Sequence, residues 1–96
     1  MAEKGKGNEH IVIQRKVNDL QRKSYAELQS IAENPLVCRE TVDGKRYYVE
    51  IHARVTERQV QLMVECARDL PLIRWFGRAA YYTVGQDRLL AEGQPW

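Results

Sequence analysis

Long apolar runs are missing from this chain. No stretch approaches the ~20 residues that a bilayer-spanning helix needs, so a helical membrane protein is excluded. Residues 1–10 are polar and lack the apolar core of a secretory signal, which makes the cytoplasm the expected compartment. Cysteine is scarce: two residues cannot build the disulfide framework of a small secreted domain. An excess of one charge is missing too. Fifteen basic residues against thirteen acidic ones leave a net charge of +2, short of the balance of a dedicated nucleic-acid binder. Gly5-Lys6-Gly7 has neither the preceding strand nor the following Lys-Ser/Thr of a phosphate-cradling loop. No nucleophile stands at a defined spacing from a base. The expectation is therefore a non-enzymatic protein with no cofactor, no metal site and no membrane partner.

What the 96 residues do contain is ordinary globular material, enough for one modest core. Two alternating runs are hinged at Val42-Asp43-Gly44-Lys45. Asp-Gly between such runs predicts a two-residue type I′ hairpin, because both central positions need positive φ. After the turn, Tyr47, Val49, Ile51, Ala53 and Val55 point one way. Arg46, Tyr48, Glu50, His52 and Arg54 point the other way, the period of a half-buried strand. With Asp43-Gly44 as the loop, Cys38 faces Val49 and Leu36 faces Ile51, so the apolar sets coincide.

Residues 56–70 carry two signals. As a helix, Thr56 and Gln59 would form a capping box, with Val60, Met63, Val64, Ala67 and Leu70 on one face. As a strand, Val60, Leu62, Val64 and Cys66 alternate with Gln61, Met63, Glu65 and Ala67, and Glu57-Arg58 is the loop. The strand is the preferred reading, because a third strand gives a lone hairpin an apolar face. Its register sets Glu50 opposite Glu65, mildly unfavourable for like charges. It also puts Cys38 and Cys66 in one row on either side of Val49. That is too far apart for a disulfide, so both are read as small buried residues with free thiols.

Upstream, Ile11, Val12, Ile13, Val17 and Leu20 predict a helix over 10–23, with a short strand at 11–13 as the alternative. Ser24-Tyr25-Ala26-Glu27 matches a capping box, which starts a second short helix that Asn34-Pro35 ends. Its stripe of Tyr25, Leu28, Ile31 and Ala32 should lie against Val49 and Ile51. Downstream, residues 79–84 read as a further strand and Gly85-Gln86-Asp87 as a turn, with a short extended piece at 88–91. The expected organisation is a disordered lead at 1–9, a single α+β domain at 10–92, and a tail at 93–96.

The succession Lys23-Ser24-Tyr25-Ala26-Glu27-Leu28, Val42-Asp43-Gly44-Lys45, an alternating strand, Gly77-Arg78 and Gly85-Gln86-Asp87 resembles some short uncharacterised bacterial proteins over about two thirds of the chain. The resemblance implies an α+β domain with a meander sheet and brings no assigned activity. Together these readings give N-terminal helices packed on one face of an antiparallel meander of about four strands.

Two places are candidates for function. The outward sheet face mixes Val37, Tyr48, Met63 and Ala67 with Arg39, Glu50, His52 and Arg54. That composition suits a self-complementary contact, since aromatic, Met and Arg side chains are enriched in interfaces. The alternative is that the C-terminal segment with Trp96 covers this face. Tyr48, Met63, Val37, Ala67 and Arg39 are the candidate interface residues, and a homodimer is the expected partner. The second place is Arg74, Trp75, Phe76 and Arg78, flanking Gly77. Aromatic faces between guanidiniums can stack bases and hold phosphates, and ten of the fifteen basic residues are Arg, the better residue for such contacts. The alternative there is a plug for one end of the core, or a protein contact. His52 is read as an exposed-face histidine, with a carboxylate-oriented general base as the active alternative. A metal site built from Cys38, Cys66 and His52 fails, because the cysteines and the histidine point to opposite faces.

Overall fold

The computed structural model describes residues 8–69, 77–86 and 90–96. Two helices, α1 (Glu9–Gln21) and α2 (Tyr25–Ser30), precede five strands: β1 (Leu36–Val42), β2 (Lys45–Val55), β3 (Gln59–Arg68), β4 (Arg78–Gly85) and β5 (Leu90–Glu92). The strands form one antiparallel sheet in the order β1-β2-β3-β4-β5, a meander with no crossover. Among the described residues no helix is long and apolar enough to cross a membrane.

Both hairpins follow from their turn chemistry. Asp43 has φ +53° and Gly44 φ +73°, the positive pair that a type I′ turn requires. The register it fixes is the expected one, with Thr41 opposite Arg46, Glu40 opposite Tyr47, Cys38 opposite Val49 and Leu36 opposite Ile51. Residues 60–67 are strand, with Val55 opposite Val60, Ile51 opposite Val64 and Val49 opposite Cys66. Thr56 closes this hairpin instead of capping a helix. Its amide and hydroxyl donate to the Gln59 carbonyl at 2.9 and 3.0 Å, and the hydroxyl accepts from the Gln59 amide at 3.3 Å.

One side of the sheet is the core. Tyr47, Val49 and Ile51 of β2, Val60, Leu62, Val64 and Cys66 of β3, and Val84 of β4 are buried there. Against them α1 sets Val12, Ile13, Val17 and Leu20, an apolar stripe at helical spacing. α1 lies over β3 and β4, and α2 lies over β2. α2 begins with a complete capping box, in which the Ser24 hydroxyl accepts from the Glu27 amide and the Glu27 carboxylate accepts from the Ser24 amide at 2.8 Å. A cap of this kind stabilises a helix by about 1 kcal/mol. Leu28 and Ile31 carry its buried face, and Ala32 is exposed.

Helix α1 is tied to the first hairpin at both levels of the sheet. The Asn8 amide donates to the Tyr47 hydroxyl at 2.8 Å, and the Asn8 side chain donates to Asp43 at 3.3 Å. Lys16 of α1 pairs with Glu40 of β1 at 2.5 Å. Burial alone would lower the Lys16 ammonium, but the hydrogen bond to Glu40 and the nearby Cys38 and Glu40 charges outweigh it and set it above its ordinary value. Asn8 and Glu9, which begin α1, fall inside the segment expected to be a disordered lead; residues 1–7 lie outside the described residues.

β1 and β5 are the sheet edges. β5 has three residues and β1 has seven, with Leu36 36% exposed on the helix side and Val37 55% exposed on the opposite side. The fifth strand is the short extended piece expected near 88–91, displaced slightly towards the C-terminus.

Candidate functional site

The side of the sheet opposite the helices carries the candidate interface residues. The pairing lays them out in rows across β1, β2, β3 and β4. One row is Arg39, Tyr48 and Ala67; the next is Val37, Glu50, Glu65 and Ala79. Then come His52, Met63 and Tyr81, and finally Arg54, Gln61 and Thr83. Tyr48, Met63 and Tyr81 are half-buried, Ala67 is buried and Arg39 is exposed. A depression of about 330 Å³ sinks into this face between Tyr48, Glu50, Glu65, Ala67, Gly77 and Ala79.

The arginines at the two ends of the face are engaged. The Arg39 Nε donates to Asp69 at 2.8 Å, and its guanidinium stands 5.6 Å from the centre of the Tyr48 ring. The Arg54 Nε donates to Gln61 at 2.8 Å, and its guanidinium stacks on Trp96, 4.8 Å from the ring centre. The tail crosses this end of the face. The Gly93 amide donates to the Tyr81 carbonyl at 2.8 Å, and Gly93 sits against Thr83. Of the expected alternatives for the face, the C-terminal segment does reach it, with Trp96 over the Arg54 row.

At the centre of the face a titratable cluster forms. Glu50 and Glu65 stand directly opposite each other, as the register requires. His52 lies between them: its Nε2 is 2.9 Å from the Glu50 Oε1 and 3.9 Å from the Glu65 Oε1. One ligand atom from each of the three lies within 4.8 Å of the others. The reading from the sequence had each member and the Glu50–Glu65 opposition, but not the cluster. The signal available was the diagonal. His52 faces Met63, and Glu65 is two residues further along β3, within reach of a long side chain.

The remaining candidates fall elsewhere. Arg74, Trp75 and Phe76 lie outside the described residues. Arg78 is exposed at the start of β4, in register with Cys66 and so on the helix-covered side. His10 is exposed on α1. Cys38 and Cys66 are free thiols in one row with Val49, on the side opposite His52. A second depression, about 350 Å³, opens between α1 and β1 beside Lys16, Leu20, Leu36, Cys38 and Ile51.

Burial pushes the Cys66 thiol up to about 12, helped by the negative charges of Glu9, Cys38 and Glu40. The thiolate is the reactive form. An aromatic-disulfide reagent at mildly alkaline pH is therefore expected to label half-buried Cys38 promptly and to leave Cys66 unmodified until the protein unfolds. Equal rates for the two thiols would contradict the buried placement of Cys66. The same shift links to stability. Between the ordinary 9.0 and about 12 the unfolded chain releases this proton while the folded chain keeps it, so stability is lost as pH rises through that window. Burial and then Glu92 raise the Tyr82 phenol on the same side of the sheet.

Compared with known proteins, this chain matches no family model, no curated protein and no solved structure.

Proposed function

We propose that the protein acts without a catalytic step, through contact with a second copy of itself on the sheet face that its helices leave open. The observation that supports this is the make-up of that face. Val37, Tyr48, Met63 and Tyr81 present apolar and aromatic surface around the charged centre, while both helices pack on the other side. A two-fold contact needs one patch that complements itself. Across such an axis the half-buried Tyr48, Met63 and Tyr81 can meet their own copies, apolar surface against apolar surface. The cytoplasm is the proposed setting, where the free Cys38 and Cys66 thiols stay reduced.

Sedimentation at micromolar concentration is expected to give a dimer. Met63→Asp and Tyr48→Asp each place a charge inside the contact and should weaken it by roughly tenfold or more, about 1.4 kcal/mol, with an unchanged circular dichroism spectrum. A parent protein that stays monomeric throughout would remove the proposal.

The nucleic-acid alternative has less support. Its central residues, Arg74, Trp75 and Phe76, lie outside the described residues. On the open face, Arg39 and Arg54 already have partners, and Glu50 and Glu65 would repel a phosphate backbone.

A further inference from the structure

The geometry points to a divalent first-row transition-metal site, such as one for zinc, formed by Glu50 and His52 of β2 and Glu65 of β3. Three properties of the cluster carry it. The donor set is an imidazole with two carboxylates, which suits a borderline cation such as zinc and, unlike an all-carboxylate group, favours it over calcium or magnesium. The donor atoms are already gathered, with the His52 Nε2 at 2.9 Å from Glu50 and 3.9 Å from Glu65. Zinc holds nitrogen and oxygen ligands at about 2.0–2.2 Å, which puts neighbouring donors a little over 3 Å apart. The widest pair of donor atoms, within 4.8 Å of each other, has to close by on the order of 1.5 Å, a movement that the rotatable Glu side chains can share. The rigid part of the arrangement is the backbone: two adjacent strands and a fixed register hold all three Cα positions.

The third property is electrostatic. The sheet sets two carboxylates directly opposite each other, an arrangement that is destabilising on its own. A cation between them converts that repulsion into attraction on both sides. The carboxylates can only accept hydrogen bonds when ionised, so the present 2.9 Å contact places a hydrogen on the His52 Nε2. On binding, Nε2 gives up its proton to solvent and its freed lone pair meets the cation, while Nδ1 carries the ring's one remaining proton, taken up from solvent if the ring was neutral. Three protein ligands leave one tetrahedral position open towards the depression beside Tyr48 and Ala79, where water or an anionic group of a partner can enter.

The site does not depend on self-association, because all three ligands come from one chain. Calorimetric titration of the full chain with zinc chloride is expected to show one saturable ion per chain. His52→Ala and Glu65→Gln should each weaken binding by at least roughly tenfold, the lower end of the loss seen for mere supporting residues of metal sites. Glu65→Gln is the same size as the parent residue and relieves the carboxylate repulsion, so it tests the site in a folded protein even where His52→Ala costs stability. Cys38→Ser, on the opposite side of the sheet, should bind as the parent does. In heteronuclear spectra of the parent, zinc should shift the His52 ring nitrogens. Absence of saturable binding overturns the inference. So does undiminished binding in Glu65→Gln, or loss of binding in Cys38→Ser.

Discussion

Leu62→Ala is expected to destabilise the protein by about 2–5 kcal/mol, the cost of emptying a well-packed core site. Leu62 is fully buried in β3, the middle strand, between Ala53 of β2 and Tyr82 of β4, on the side that α1 covers. Truncation removes its contacts with both neighbouring strands and with the helix, and a site framed by paired strands cannot collapse to fill the gap. A domain of this size loses roughly 4–8 °C of Tm per kcal/mol, so a fall on the order of 10–30 °C should be measured by thermal denaturation. Urea unfolding should show a lower midpoint with an unchanged slope. Gln61→Ala, one residue away on the opposite face, should cost no more than about 0.5–1.5 kcal/mol, the loss of its hydrogen bond from Arg54. Equal losses from the two substitutions would show that the alternation along β3 does not separate core from surface.

Gly77→Ala is expected to cost about 1–3 kcal/mol, the range for forcing extra atoms into a packed site. A Cβ at this position would lie 2.5 Å from the Cys66 carbonyl oxygen and 2.8 Å from the Ala67 Cβ. The first of these is main chain and cannot swing aside, so β4 must move away from β3 at the point where Arg78 pairs with Cys66. Amide exchange should show the effect locally, with faster exchange at this end of the β3–β4 ladder than at Val60 and Val84. Uniform exchange with unchanged stability would mean that the approach is looser than described. Gly44 is required for a different reason: nothing crowds an added Cβ there, but its φ of +73° suits few side chains.

How far the fold was legible depends on how local its causes are. Asp43-Gly44 specifies a turn by backbone conformation alone, and the period-two pattern on either side leaves one register that buries Val49 and Ile51. Ser24 and Glu27 specify a helix start within four residues. At 56–70 the local signals conflict, because Thr56 and Gln59 make the same hydroxyl-to-amide contact in a helix cap and in a tight hairpin. The stretch likewise fits two periods, Val60, Leu62, Val64 and Cys66 alternating and Val60, Met63, Val64 and Ala67 recurring at 3.6. Only pairing with β2 decides between them. The Asn8–Tyr47 bond, the Trp96–Arg54 stack and the position of β5 join residues far apart in the chain, and no local pattern announces them. The Glu50–His52–Glu65 cluster is intermediate. Its members follow from the register, yet the opposed carboxylates read as a small cost of pairing until the imidazole is placed between them.

The unequal edges of the sheet bear on how this protein survives at high concentration. A long outer strand with unused amides and carbonyls is a template on which foreign strands can add, and repeated addition leads to fibrils. The C-terminal rim is protected by brevity, since β5 offers three residues. The β1 rim is longer and has Val37 exposed, so its defence falls to Arg39 and Glu40 in the middle of the strand. Those two charges act as gatekeepers against aggregation as well as partners of Asp69 and Lys16.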